Sequence, residues 1–241
     1  MAPFVNFAIM SAMSATALSY ALLSGLLPSL VWLFFWLRED RLHPEPRGLL
    51  AASFFGGMVA VAAAVLAEQY IAEIYADPSI RYTLWASVEE IFKFIAVAVI
   101  ALHTQSNDEP IDAMIYCIVT ALGFAALENA LFIMGPLSGG EIAKALITGN
   151  MRFIGATLLH TVSSAMIGFT LGLAFYRGKA AKILAALVGL AAAIAIHATF
   201  NLSIVDAGSL DTLRTFSWIW GGVVLLIVLF EEVKVVRPKL W

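Results

Sequence analysis

Charge is what this sequence has least of. Asp, Glu, Lys and Arg make up 13% of its 241 residues, against 61% for the apolar set AVILMFWYC. Mean hydropathy is +0.91. A soluble domain carries about 25% charged residues, so this chain cannot coat a water-facing surface. A soluble globule, a disordered tail and a coiled coil are all excluded. Basic charge is short as well: the formal net charge is −3, which leaves no footprint for a nucleic acid. Cysteine is nearly absent. Cys117 stands alone in an apolar run, which rules out an intrachain disulfide and any cysteine-based zinc finger; it reads as a buried filler. No Lys or Arg precedes Arg38. Without a basic n-region a cleaved signal peptide is not expected, and the first apolar run is expected to stay as a membrane anchor. There is no internal repeat, low-complexity segment or long linker, so residues 1–241 are expected to form a single integral-membrane domain.

Long uncharged runs take the place of charge. Residues 4–37 contain no Asp, Glu, Lys or Arg. A membrane span needs roughly 20 apolar residues, and seven are expected, at about 15–37, 48–67, 82–102, 111–134, 152–175, 183–205 and 212–230. Residues 4–14 read as an interfacial helix or as an extension of the first span. The expected fold class is therefore all-α, a polytopic membrane protein of about seven transmembrane helices. Loop cations set orientation. Arg38, Arg41, Arg47, Arg177, Lys179, Lys182, Lys234, Arg237 and Lys239 fall on one side, and Arg81, Lys144, Arg152 and Arg214 on the other. The bias predicts the N-terminus outside and the C-terminus in the cytoplasm.

Ionisable residues inside spans cost about 2.5–3.5 kcal/mol each on insertion scales, so they are functional candidates by default. The third span carries Glu89, Glu90 and Lys93. The fourth carries Glu128 and Asn129, the fifth His160 followed by Ser163 and Ser164, and the sixth His197 with Asn201 one turn later. A helix rises about 1.5 Å per residue, which places Glu89, Glu128, His160 and His197 each about 9–12 Å from the outer end of its span. Four consecutive helices thus present their polar residues in one layer. Lipid offers no partners, so these stripes should face inward. Three carboxylates and one lysine leave a formal −2 in a medium of low dielectric. Either a carboxyl is protonated and poised as a general base, or a divalent cation balances the site. Two histidines and a carboxylate are plausible zinc ligands. Composition does not choose between the two.

The same residues resemble the PrsW family of intramembrane proteases, related to the CAAX prenyl protease and bacteriocin-processing superfamily. The matching motifs are Glu89-Glu90-x-x-Lys93, Phe124-x-x-x-Glu128-Asn129, His160, and His197-x-x-x-Asn201, one per consecutive span. The Pro44-Glu45-Pro46 loop after the first helix is similar too. Where the wider superfamily has Arg four residues after the second Glu, this chain has Lys93 three residues after it. Where the superfamily has a His, this chain has Glu128. Both departures fit the PrsW branch. The resemblance implies an intramembrane endopeptidase in a prokaryotic cell membrane, with its catalytic helices at about 82–205, that cleaves a membrane-anchored, single-span regulatory protein. It implies that Glu89 and Glu90 activate a water, with His160 and His197 also required. Lys93 would orient a carboxylate, and His197 and Asn201 would supply donors to the oxyanion. If zinc is present, Glu128, His160 and His197 are its expected ligands, and Glu89 or Glu90 remains the base.

Plainer readings exist for each residue. Glu89, Glu90 and Lys93 can form a structural ion cluster, His160 an interhelical hydrogen bond, and Glu128 a protonated carboxyl bonded to Asn129. Ser163, Ser164, Gly168 and Gly172 read as small packing residues. The rival function is a proton-coupled transporter using the same acids and histidines. It lacks the inverted repeats and mid-membrane helix breaks of that class, and no polar trail leads to the cytoplasmic face. A non-catalytic scaffold would leave the polar layer without a purpose.

Overall fold

The computed structural model describes residues 14–39, 43–205 and 209–237, and every regular element among them is helical. In chain order these are α1 (Ala15–Glu39), α2 (Arg47–Ile74), α3 (Pro78–Val97), α4 (Asp112–Ser138), α5 (Ile142–Met151), α6 (Thr157–Leu173), α7 (Lys179–Val205) and α8 (Ser209–Lys234). A π-helical turn, Ala98–Leu102, ends α3, and a second, Arg152–Ala156, joins α5 to α6. Six rods are long and apolar enough to cross a membrane: α1, α2, α4, the continuous Ile142–Leu173 rod, α7 and α8. Helix α3 has the length of the expected third span, yet Ser87, Glu89, Glu90 and Lys93 pull its apolarity below that of the other six. The fifth span was expected from 152, but its helix begins ten residues earlier, at Ile142. Of the segment 4–14, only Ser14 lies among the described residues.

Helix α4 is the axis of the bundle. In its most apolar window 83% of residues are buried, against 17–33% for α1, α2, α7 and α8. Every residue from 112 to 126 is buried. Helices α1, α2 and α6 pack along it, α7 packs on α6 and α3, and α8 closes against α6. The outer helices direct apolar side chains such as Phe34, Val59, Leu184 and Val224 outward. That pattern suits lipid, which is as apolar as they are, so burial of apolar area cannot hold the helices together; close packing must.

Small residues supply that packing. A Cβ on Gly57 of α2 would sit 1.9 Å from the Thr120 carbonyl oxygen of α4, and one on Gly123 would sit 1.9 Å from the Phe54 carbonyl oxygen. The two glycines let the α2 and α4 backbones touch. Gly168 of α6 lies in the same way against Met114, and Gly172 against the Pro110 carbonyl. Polar ties fix the ends. Asp77 caps α3 by accepting from the Ile80 amide at 3.0 Å, with Pro78 at the first helical position. Asp112 accepts from the amides of Asp108 (2.8 Å) and Glu109 (2.6 Å). Buried Glu45, in the Pro-Glu-Pro loop, accepts from the Tyr116 hydroxyl, which anchors that loop to α4.

Gly57→Ala and Gly123→Ala should each destabilise the protein by about 1–3 kcal/mol, the usual cost of overpacking. Gly48→Ala and Gly221→Ala, where a Cβ meets nothing within 4 Å, should leave the unfolding midpoint unchanged or slightly raised. Thermal unfolding in detergent micelles checks both pairs; equal midpoints for all four would refute the tight α2–α4 contact.

Candidate functional site

The third helix brings its polar residues to one face because they follow a helical period. Its buried positions are Trp85, Ala86, Glu89, Glu90, Lys93 and Val97, a stripe spaced by three or four residues. Helices α4, α6 and α7 face that stripe with Glu128, His160 and His197. The two imidazole ring centroids are 5.0 Å apart. All four helices that the sequence singled out thus meet at one point.

Glu90 is the most completely engaged of these groups. It is wholly buried. Its Oε1 accepts from Lys93 Nζ at 2.6 Å, from Ser163 at 2.9 Å and from His197 Nδ1 at 2.7 Å. Its Oε2 accepts from Ser164 at 2.9 Å. Ser163 and Ser164, expected as mere packing residues, are hydrogen-bond donors to this carboxylate. Lys93 also donates to His160 Nδ1 at 2.9 Å, and its ammonium lies 4.9 Å from the centroid of the Phe124 ring. Glu90 and Lys93 therefore fix both rings. His197 gives its Nδ1–H to Glu90, which turns Nε2 toward Glu89; His160 receives Lys93 at Nδ1 and gives its Nε2–H to Glu128 Oε2 at 2.8 Å. Such partners on the far ring nitrogen set tautomer and ring orientation in metal and catalytic sites.

Glu89 is placed differently from its neighbour. Its Oε2 is buried without a hydrogen-bond partner. That oxygen lies 3.6 Å from His197 Nε2 and 3.9 Å from His160 Nδ1. One ligand atom each from Glu89, His160 and His197 falls within 4.8 Å of the others. An unpartnered carboxylate oxygen between two imidazoles suits a divalent cation or an attacking water. Glu128, the carboxylate expected in a zinc site, is bound by Arg152 and His160 instead. The geometry thus offers Glu89 as the carboxylate of a Glu-His-His set.

A cavity of about 170 Å³ opens beside these atoms, which is room for several waters. Glu68, Glu89, Glu128, Arg152, His160, His197 and Asn201 form its polar wall, and Tyr82, Trp85, Phe132, Leu159, Phe200 and Ile204 its apolar one. Asn129 does not line it. Its side chain accepts from Arg152 Nε at 2.6 Å and donates to Thr157 at 2.9 Å, so it holds its neighbours in place.

Two charged lining residues were not among the expected ones. Glu68 falls one residue beyond the expected end of the second span, but α2 continues to Ile74 and buries it. A signal was available: Gly57, Val61, Ala64 and Glu68 form one helical stripe, so Glu68 points where the small residues point. Arg152 was counted as an outer loop cation. The earlier start of the Ile142–Leu173 rod draws it inside. With these two added, four carboxyl groups face two cations, which again leaves a formal −2.

Residues 45–231 match the family described as PrsW family intramembrane metalloprotease. Among curated proteins, Protease PrsW of Geobacillus kaustophilus is 27% identical over 159 residues, covering 65% of this chain and 67% of its own. Protease PrsW of Bacillus subtilis is 25% identical over 187 residues, covering 76% of this chain and 82% of its own. No solved structure matches the chain.

The two adjacent glutamates should separate in stability measurements. Glu90→Ala leaves the Lys93 ammonium buried without its counter-charge and should cost about 3–5 kcal/mol. Glu89→Gln removes no hydrogen bond at Oε2 and should shift the thermal midpoint little. A Glu90→Ala protein as stable as the wild type would refute the structural role given to Glu90.

Proposed function

The chain belongs to the PrsW family of intramembrane metalloproteases, and on that premise we propose that it hydrolyses a peptide bond in or near the transmembrane segment of a membrane-anchored protein, at the cavity bounded by Glu89, His160 and His197. The observation that carries this reading is the unpartnered Glu89 Oε2 facing two oriented imidazoles. A single-span regulatory protein is the substrate class the family resemblance implies. The catalytic helices are those at about 82–205.

Each group has a task in this scheme. A water beside Glu89 loses a proton to that carboxylate as its oxygen attacks the substrate carbonyl carbon. Glu89 then returns the proton to the leaving amine as the C–N bond breaks. Glu90 carries no proton in the cycle. Saturated by Lys93, Ser163, Ser164 and His197, it holds His197 in one tautomer. Lys93 does the same for His160. Asn201 lines the cavity one turn beyond His197, and its carboxamide is a donor for the carbonyl oxygen. Glu89, His160 and His197 bring one oxygen and two nitrogens within 4.8 Å of one another, a set that would suit zinc once Lys93 gives up its hydrogen bond to His160 Nδ1. When bound, the metal would polarise the carbonyl and acidify the water.

The site is read as lying in the outer half of the bilayer, with α3 as a seventh span, the N-terminus outside and the C-terminus in the cytoplasm. Lipid surrounds the rest. The transporter alternative is not favoured, because membership of a protease family weighs against it.

Three results are expected. Glu89→Gln, His160→Ala and His197→Ala abolish cleavage of a single-span substrate by the purified, folded protein; full activity in any one of them refutes the role given to that residue. Stoichiometric metal in the wild type, with activity lost to a strong chelator and restored by zinc, establishes the metal route, and chelator-resistant activity without metal establishes the glutamate route. For topology, an impermeant maleimide should label Lys144→Cys in intact cells and Gly178→Cys only after permeabilisation; the reverse pattern inverts the orientation.

A further inference from the structure

Arg152 is the one Lys or Arg among the described residues lining the cavity. Lys93, the other cation of the cluster, is sealed at 1% exposure between Glu90 and His160. Arg152 keeps 14% of its side chain exposed. Three residues of one α4 face clamp it. Glu128 accepts from Nη2, Asn129 accepts from Nε at 2.6 Å, and the Phe132 ring lies under the guanidinium, 3.8 Å from carbon to centroid. The π-helical turn Arg152–Ala156 widens the rod here, and the Thr157 hydroxyl donates to the Arg152 carbonyl at 3.1 Å. Such turns recur at functional sites.

The clamp leaves donors over. A guanidinium has five N–H groups in a fixed fork, and the partners above take two. Charge neutralisation of Glu128 needs only an ammonium, so the planar fork is more than that ion pair requires. Its position is close to the chemistry. Glu128 Oε2, which accepts from Arg152, also accepts from His160 Nε2 at 2.8 Å, and His160 is 3.9 Å from the unpartnered Glu89 oxygen. One carboxylate therefore separates the guanidinium from the reacting centre. Phe132 covers one of its faces, and the ties at Nε and Nη2 fix its plane.

We propose that Arg152 is a catalytic residue, whose remaining guanidinium N–H groups bind the substrate carbonyl oxygen and hold it more tightly as it becomes the tetrahedral oxyanion. This rests on the protease reading given above. No proton leaves Arg152. As the water oxygen bonds to the carbonyl carbon, the π electrons of the carbonyl move onto its oxygen, and the guanidinium donates hydrogen bonds to that charge. When the C–N bond breaks, the electrons return, the carbonyl re-forms and the amine leaves with the proton carried by Glu89. The polar wall is otherwise rich in carboxyl groups, so a fixed cation here offsets their repulsion of a developing anion.

The test uses the purified full-length protein, a single-span substrate, and a phosphinate peptide as mimic of the tetrahedral state. Arg152→Lys preserves the charge beside Glu128 but not the fork, so the protein should fold, with its thermal midpoint near that of the wild type. Its kcat should fall about 10–100-fold and that of Arg152→Gln about 10²–10³-fold, the range for loss of one oxyanion donor. KM should rise by no more than about threefold in both, because the neutral carbonyl oxygen is a far weaker acceptor than the oxyanion and most of the loss falls on the transition state. Phosphinate affinity should fall in parallel with kcat/KM, a correlation that a purely structural role would not produce. Wild-type kcat in Arg152→Gln, or a loss confined to KM, would overturn the assignment while leaving the protease reading intact. A wild type that neither cleaves the substrate nor binds the phosphinate would overturn both.

Discussion

The Glu90 carboxylate is the constraint on which the rest of the site depends. It is buried where no water can stabilise it, and it collects Lys93 from its own helix, Ser163 and Ser164 from α6 and His197 from α7. An isolated charge in such a place is untenable. With all four donors the charge becomes a junction that sets the rotation and depth of three helices at once. A one-residue slide of α6, about 1.5 Å along its axis, would break both serine bonds together, and the same slide of α7 would break the His197 bond. The same junction orients both imidazoles, so assembling the bundle and preparing the site are a single event.

The junction works only if the bundle around it packs without slack. Between lipid and protein there is no hydrophobic gain to spend on loose contacts, and the fold relies on backbone approach. Gly57 and Gly123 bring α2 against α4, and Gly168 and Gly172 bring α6 against the start of α4. Glu68 ends the α2 stripe that Gly57 begins. The packing that seats α2 therefore also delivers a carboxyl to the cavity wall. The Trp85 indole donates to the Glu68 backbone carbonyl at 3.0 Å and locks α3 to α2 at that level.

Much of this could be read from residue order alone, for a physical reason. Charge inside an apolar run is so unfavourable that each instance is a signal, and helical rise converts its position into depth. Glu89, Glu128, His160 and His197 were placed in one layer by that arithmetic, and they meet. Residues at the margins of the runs were less legible. Glu68 and Arg152 fall at expected span boundaries, where a charge costs little and signals nothing. Only the true helix lengths, Arg47–Ile74 and Ile142–Leu173, bring them inside. The serines failed differently. A hydroxyl in a membrane helix satisfies its own backbone readily, so nothing in the sequence separated Ser163 and Ser164 from ordinary packing residues. The different fates of adjacent Glu89 and Glu90 were also invisible, because a helix turns about 100° per residue and the consequence depends on what stands across the gap.

The two cations divide the work that their positions permit. Lys93 is a compact point charge in a closed space, and all it can do is hold Glu90 and His160. Arg152 is a planar fork at the edge of a cavity, with bonds to spare. An ammonium at 152 would neutralise Glu128 equally well but would present no rigid pair of donors, and a guanidinium at 93 would need more room than a side chain at 1% exposure is given. The acids divide in the same way. Glu90 spends both oxygens on the frame, and Glu89 keeps one unpartnered. Lys93 and Glu90 are enclosed in the frame, while Arg152 and Glu89 line the cavity. A carrier that cycles a proton needs its titratable groups to exchange partners between two states. Here Glu90 and Lys93, the most deeply buried of these charges, are fully engaged by partners, which leaves little to exchange.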